Sequence, residues 1–268
     1  MEAAAREAGA LTRQHFGRSV KAWSKGAAGP VTEIDLAVDT LLKQRLMGAR
    51  PDYGWLSEET EDAQARLFRA RVWIVDPIDG TQAFLQGVPQ YTISIGLVEN
   101  GRAIAGAIYN PMTDEMYLGG EGLAAAVNGR PIRASARSEL EGARLIGQPS
   151  TFKPKRWARP WPRLEVEQRH SIAYRLALIA AGNFDAALML GFKNEWDVAG
   201  GAAIVAAAGG IVTETSGAPL AFNRADHRVA GVVAAGAALY PSIIERVQGL
   251  PHPKDWGPKG WDHGRGEA

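Results

Sequence analysis

The sequence predicts a mixed fold: an α+β half over residues 1–150, an α/β half over 151–250 and an irregular tail over 251–268. Three observations point there. Two segments of helical periodicity open the chain, and short strands separated by turns follow in quick succession. Beyond residue 150, strands and helices alternate.

In order, residues 1–16 read as a helix, and so do Thr32–Met47, where Ile34, Val38, Leu41, Leu42 and Leu46 recur at helical spacing. Between them Lys21–Pro30 is a Gly-containing loop. Tyr53–Ser57 is a short extended piece running into Glu58-Glu59-Thr60-Glu61-Asp62. Val72–Val75 is a buried strand that ends abruptly in Asp76-Pro77-Ile78-Asp79-Gly80-Thr81. Tyr91–Glu99 and Arg102–Asn110 pair across Asn100-Gly101, and Glu115–Gly119, Gly122–Asn128, Arg130–Ala134 and Arg144–Gly147 add strands to a mostly antiparallel sheet.

In the second half, Phe152–Arg163 mixes Pro, Trp and basic residues and reads as an exposed loop. Arg169–Ala181 is helical, Ala186–Leu190 a strand, and Val198–Ala208 an Ala-rich helix capped by Asp197 and ended by Gly209-Gly210. Ile211–Thr215 and Gly231–Ala234 are strands, and Pro241–Val247 is a terminal helix.

Composition narrows the chemistry. A formal net charge of +1 gives no footprint for a nucleic-acid polymer. The absence of cysteine excludes disulfides, thiolate zinc sites and cysteine nucleophiles. The first residues mix charge into a helix-forming segment, and no run reaches the ~18 apolar residues of a membrane span. A soluble cytoplasmic protein is expected.

Asp76 and Asp79 lie at a strand end, where ligands of α/β proteins gather, with Gly80 and Thr81 opening the next helix. Such a turn can hold a hard cation through carboxylates and offer amides to an anion. A calcium loop needs acids at alternate positions, and these are three apart. The phospho-aspartyl mechanism of haloacid dehalogenases needs an Asp two residues before Asp79, and that position is Pro77. Zinc would favour His or Cys, and none of the five histidines has ligand-like spacing.

Asp76-Pro77-Ile78-Asp79-Gly80-Thr81 followed by Phe84 resembles the first signature of the inositol monophosphatase family of metal-dependent phosphatases. Trp196-Asp197-Val198-Ala199-Gly200-Gly201 resembles the second, and Val31-Thr32-Glu33-Ile34-Asp35 and Ser57-Glu58-Glu59 are similar to two further blocks in the family's order. The resemblance runs from about residue 20 to about residue 245. It implies a layered αβαβα, sugar-phosphatase-like fold with the active site between two halves. It implies that Glu58, Asp76, Asp79 and Asp197, with the Ile78 carbonyl, hold two or three Mg²⁺ ions. Thr81 and Glu58 then activate water, Asp35 supports Thr81, and the Gly80 and Thr81 amides hold phosphate. Two-metal attack by water without a covalent enzyme intermediate, inhibition by Li⁺ and a homodimer are implied on the same ground.

Substrate choice rests on departures. Inositol monophosphatases carry an acid, seven positions before the second-signature Asp, that contacts inositol hydroxyls; here that position is Leu190. The superfamily's bisphosphate nucleotidases carry a Glu-Trp-Asp form, as in Glu195-Trp196-Asp197, and a basic residue in the helix after the linker, as Arg175 or Arg169 would be. Arg175, Ser171, Leu190 and Glu195 are therefore the expected substrate-selecting residues, aided by the basic loop Lys153–Arg163. The reading leans to 3′(2′),5′-bisphosphate nucleotidase activity, adenosine 3′,5′-bisphosphate to AMP and phosphate. The alternatives are inositol 1-phosphatase activity or, from another class, a non-catalytic metal-dependent phosphate-binding protein. Trp256 and Trp261 in the tail have no assigned role.

Overall fold

The computed structural model describes residues 1–24, 26, 29–153 and 157–256. The first half comprises α1 (Glu2–His15), β1 (Ala22–Ser24), β2 (Pro30–Thr32), α2 (Glu33–Ala49), β3 (Gly54–Ser57), β4 (Arg71–Asp79), α3 (Thr81–Leu85), β5 (Thr92–Glu99), β6 (Arg102–Asn110), β7 (Glu115–Gly120), β8 (Leu123–Val127) and β9 (Arg130–Pro131). Strands β3 to β9 form a seven-stranded sheet in sequence order. Only β3 and β4 run parallel, because a 3₁₀ turn at Gln64–Phe68 carries the chain back between them.

The second half comprises β10 (Arg144–Ile146), β11 (Glu165–Glu167), α4 (Ile172–Ala180), β12 (Ala186–Met189), β13 (Lys193–Asn194), α5 (Glu195–Ala207), β14 (Gly210–Thr213), β15 (Arg228–Val229), β16 (Val232–Gly236) and α6 (Tyr240–Val247). Five of these strands make a second sheet in the order β11-β10-β12-β16-β14.

The strand period of two decides what each sheet face touches. On β4, Trp73 and Val75 join Ala4, Ala5, Ala8, Val38 and Leu42 of α1 and α2, whereas Val72 and Ile74 join the cluster built on α4 and α5. On β12 and β16, Ala187, Met189, Val232 and Ala234 face that same helical layer, and Ala186, Leu188, Val233 and Ala235 face α6. The layers are therefore helix, sheet, helix, sheet, helix, as the resemblance implies.

Helix α5 sits unusually close to the larger sheet. A Cβ on Gly106 would lie 2.0 Å from the Gly200 carbonyl oxygen, and one on Gly201 would lie 2.5 Å from Leu176 of α4. The Gly-Gly pair after Asp197 thus lets α5 lie directly against β5 and β6 on one side and α4 on the other.

Several elements differ from the sequence reading. Part of the expected loop Lys21–Pro30 pairs, with Ala22 opposite Thr32 and Ser24 opposite Pro30; Lys25, Ala27 and Ala28 lie outside the described residues. The strand expected over Arg130–Ala134 is two residues long. The strand Arg144–Ile146, expected with the first half, pairs with β11 and β12 in the second sheet. Phe152, Trp157 and Trp161 of the expected exposed loop are buried against the outer sheet face. Arg159 and Arg163 stay exposed, and Pro154–Arg156 lie outside the described residues. The two arginines keep their charges at the surface, whereas the segment's large aromatic side chains carry enough apolar area to be buried. Of the tail, Pro253–Asp255 form a 3₁₀ turn, and Trp261 lies outside the described residues. Among the described residues no helix is long and apolar enough to cross a membrane.

Candidate metal centre

In a regular strand, residues three apart point to opposite faces, so Asp76 and Asp79 should diverge. They do not, because β4 bulges between them: Asp76 pairs with Ser94 and Asp79 with Thr92, three steps on one strand against two on the other. Pro77 stands in the bulge, where its missing N–H removes no ladder bond. The Ile78 N–H donates to Asp76 Oδ1 at 3.0 Å and fixes that carboxylate. Gly80 follows at φ 98°, a left-handed turn into α3 that a side chain would strain.

The third carboxylate comes from the other half. Asn194, not Asp197, caps α5. Asp197 is the third helical residue, and its Oδ2 accepts the Asn194 N–H at 2.9 Å in a capping box. Asp76, Asp79 and Asp197 each bring one oxygen within 4.8 Å of the others. All three are buried.

Glu58 follows β3, where its N–H donates to the Val75 carbonyl at 3.3 Å. Its charge helps raise the pKa values of both Asp76 and Asp197, which places it electrostatically at the cluster. Burial is the largest cause of the rise at Asp76, followed by Glu58, Asp79 and Asp197. At Asp197 burial leads again, followed by Asp79. Asp79 is raised by burial against the pull of the Ser171 hydroxyl and the Ala173 N–H. Four acids packed this way repel one another, and a divalent cation relieves that repulsion. Their all-oxygen donors suit a hard cation such as Mg²⁺.

Beside the carboxylates, Thr81 Oγ1 lies 3.0 Å from Asp35 Oδ1 and 3.0 Å from the Ile78 carbonyl oxygen. The one hydroxyl proton favours the carboxylate, the stronger acceptor, and this turns the Thr81 lone pairs outward. Asp35 is held in turn by the Thr32 N–H at 2.8 Å and by the Thr32 hydroxyl, closing a capping box on α2. Burial raises the Asp35 pKa, and the Thr32 bonds oppose the rise.

The expected substrate-selecting residues fare differently. Ser171 is fully buried: it caps α4, and its hydroxyl donates to Asp79 Oδ2 at 2.7 Å, so it orients a cage carboxylate from behind. Glu195 is also fully buried and accepts the Asn223 and Arg224 N–H groups at 2.6 and 3.0 Å, which removes it from any substrate. Leu190 continues the outward face of β12 and packs against the α6 cluster, so its apolar character reflects core packing. Arg175 does lie by the cage. Burial lowers its pKa, against the attraction of Asp79 and Asp197, and its Nε donates to the Arg169 carbonyl at 2.8 Å.

Sequence reasoning missed two residues. Lys193, four before Asp197, folds its ammonium onto the carbonyls of Leu190, Gly191 and Phe192 at 2.9–3.3 Å. Burial lowers its pKa, with Asp197 pulling the other way. Nothing in its local sequence signals this. Asp39 accepts the hydroxyls of Ser57 and Thr60 and so brackets Glu58-Glu59. Its signal was available: it lies one turn after Asp35 on the face of α2 that carries Val38 and Leu42 into the core.

Three carboxylates at a strand end and a helix start, with the Glu58 charge acting on them and a carboxylate-held threonine beside them, make a candidate site for a hard cation. Comparison with known proteins gives the class. The inositol monophosphatase family matches residues 1–252. Inositol monophosphatase 3 of Solanum lycopersicum is 35% identical over 255 residues, covering 91% of this chain and 93% of that protein. Inositol-1-monophosphatase of Rhizobium meliloti is 34% identical over 229 residues, covering 79% and 82%. The crystal structure of the extragenic suppressor protein suhB from Bartonella henselae superimposes with a TM-score of 0.80 at 29% identity, covering 93% of this chain and 97% of that one. The chain belongs to the inositol monophosphatase family, a family of metal-dependent phosphoric monoester hydrolases.

Proposed function

We propose that the chain is a Mg²⁺-dependent phosphomonoesterase that releases inorganic phosphate from a small phosphorylated metabolite. The observation that carries this reading is the meeting of Asp76, Asp79 and Asp197 within 4.8 Å, with the Glu58 charge acting on the same site. These carboxylates and the Ile78 carbonyl would hold the cations. Bound divalent ions supply Lewis acidity: they draw charge from the phosphoryl oxygens and acidify a nearby water. The chain's own residues do the rest. Thr81, with its proton held by Asp35, accepts a hydrogen bond from the attacking water, and Glu58 takes up the proton that the water releases. The Gly80 and Thr81 amides face the phosphate. The phosphorus–oxygen bond opposite the water breaks, the leaving oxygen takes a proton from solvent water to become the alcohol, and Glu58 returns its proton to solvent.

Inositol 1-phosphate is the substrate favoured by the relatives' names. A second reading, 3′(2′),5′-bisphosphate nucleotidase activity, is favoured by the positive charge that Arg175 and Lys193, anchored on main-chain carbonyls, bring to the neighbourhood of Asp197, which would attract a second anionic group. A cytoplasmic homodimer and inhibition by Li⁺ belong to the same proposal. The test is phosphate release from both esters with and without Mg²⁺ and Li⁺, alongside sedimentation. Mg²⁺-dependent release from either ester supports the reading. Mg²⁺ binding without release from these or other phosphate esters would identify a binding protein instead.

A further inference from the structure

The carboxylate cage draws Asp76 and Asp79 from the first half, with the Glu58 charge acting on it, and Asp197 from the second, so its dimensions depend on how separate chain segments are held. A buried polar latch joins the segment of Glu58 to that of Asp197. The Arg66 side chain, 1% exposed, donates from Nε and Nη2 to the two oxygens of Asp62 at 2.7 and 2.8 Å. Its Nη1 donates to Asn223 Oδ1 at 2.7 Å and its Nη2 to the Arg224 carbonyl at 2.9 Å. Asn223 Nδ2 returns a bond to the Arg66 carbonyl at 3.2 Å. The Asn223 and Arg224 N–H groups then donate to Glu195 Oε2 and Oε1 at 2.6 and 3.0 Å. The Glu195 N–H donates to the His227 carbonyl at 2.8 Å, and the His227 ring stacks on Trp196 at 4.5 Å between centroids.

Asp62 follows Glu58 by four residues, and Glu195 precedes Asp197 by two. The bonds therefore make a path from one edge of the cage, through Arg66 and Asn223, to the other. A buried ion pair is a poor source of net stability, because desolvation offsets much of its attraction. What it does supply is a fixed geometry, and Mg²⁺ tolerates little deviation from its octahedron.

We propose that the Asp62–Arg66–Asn223–Glu195 latch sets the spacing between Glu58 and Asp197, and so the affinity of the cage for divalent cations. Arg66, Asn223 and Glu195 are positioning residues in this scheme. The inference rests on the metal-dependent reading above.

Two variants weaken the latch by different means. Asn223→Gly keeps the left-handed backbone (φ 58°) and the N–H to Glu195 but removes both side-chain bonds to Arg66. Glu195→Gln keeps the shape but places an amide donor against one of two N–H donors. A third, Ile243→Ala, loosens the outer core far from the latch and serves as the control. Mg²⁺ or Mn²⁺ binding is measured by calorimetry on chelator-stripped protein and by the rise of Tm with metal, alongside activity as a function of Mg²⁺.

For Asn223→Gly and Glu195→Gln the metal Kd rises roughly 10- to 100-fold, the range for groups that orient metal ligands. The Mg²⁺ needed for half-maximal activity rises in parallel, and kcat at saturating metal stays within about twofold. Ile243→Ala lowers the metal-free Tm and leaves the Kd at the wild-type value. Wild-type Kd values in the latch variants, with Tm lowered as in Ile243→Ala, would reduce the latch to plain structural support and overturn the inference. Wild-type protein that binds neither cation would overturn the metal-dependent reading, and this inference with it. If Glu195→Gln does not fold, Asn223→Gly alone decides.

Discussion

The two halves contribute to the site in different ways. In the first half each group is over-determined: Asp35 is held by a capping box, Asp76 by the bulge and the Ile78 N–H, and Thr81 by Asp35. In the second half Asp197 is fixed by α5, while the neighbouring cation Lys193 stands on the two-residue strand β13, opposite Val229, with its ammonium folded back onto the preceding carbonyls. The groups proposed for the hydrolytic step are thus braced from several sides, whereas the cations proposed to select the ligand, Arg175 and Lys193, have their side chains anchored on main-chain carbonyls. The comparison teaches where substitutions should destroy activity and where they should only redirect it.

The largest effect is expected at the rigid corner. Thr81→Ala removes the hydroxyl proposed to orient the water and should lower kcat by ~10²-fold, as for misplacement of a reacting group, with metal binding by calorimetry retained. A loss below tenfold would remove Thr81 from the chemistry. Asp35→Asn should cost less, about 10-fold in activity, because it acts one step back. Its amide has a single acceptor oxygen and cannot serve both the Thr32 donors and the Thr81 hydroxyl, so Tm should fall with it.

The same corner makes a pH prediction. Asp76, Asp79 and Asp197 have raised pKa values in the fold, burial being the first cause for each. The folded, metal-free protein therefore binds their protons more tightly than the unfolded chain, whose aspartates titrate near ~4. The stability they contribute is fully present below about pH 4 and is lost as pH rises through the raised folded values. In chelator, the wild-type Tm should drop from about pH 5 to about pH 8 more than that of Asp76→Asn, and Mg²⁺ should restore it. Parallel Tm profiles for the two proteins would show that the acids are not strained by mutual repulsion.

This contrast also explains how much was legible in the sequence. The cage acids, Thr81 and Asp35 fall in contiguous motifs whose local geometry is set by Pro77, Gly80 and the helix caps, and the layered fold follows from the same resemblance. Ser171, Glu195 and Leu190 were placed at the substrate because sequence shows spacing but not which side of an element faces the site. All three turn inward: Ser171 to Asp79, Glu195 to the Asn223 turn, and Leu190 to the outer core. The Asp62–Arg66 pair is local, but the bonds of Arg66 to Asn223 and Arg224 and of Lys193 to main-chain carbonyls leave no signal in the sequence.

The smallest effect is expected at β13 in the second half. Lys193→Gln removes a cation close to Asp197 and Arg175 while leaving a side chain long enough to reach the Leu190–Phe192 carbonyls. A charged hydrogen bond that is partly open to solvent is worth about 1 kcal/mol, which corresponds to roughly fivefold in rate or binding. We expect kcat/KM for adenosine 3′,5′-bisphosphate to fall by that amount and that for inositol 1-phosphate to change by less than about twofold. The metal Kd should shift slightly toward tighter binding, because a positive charge leaves the neighbourhood of the cage. Equal losses on both esters would instead make Lys193 a brace of its own segment. The contrast between a braced chemical corner and a selecting cation would then shift to Arg175, the cation fixed on α4.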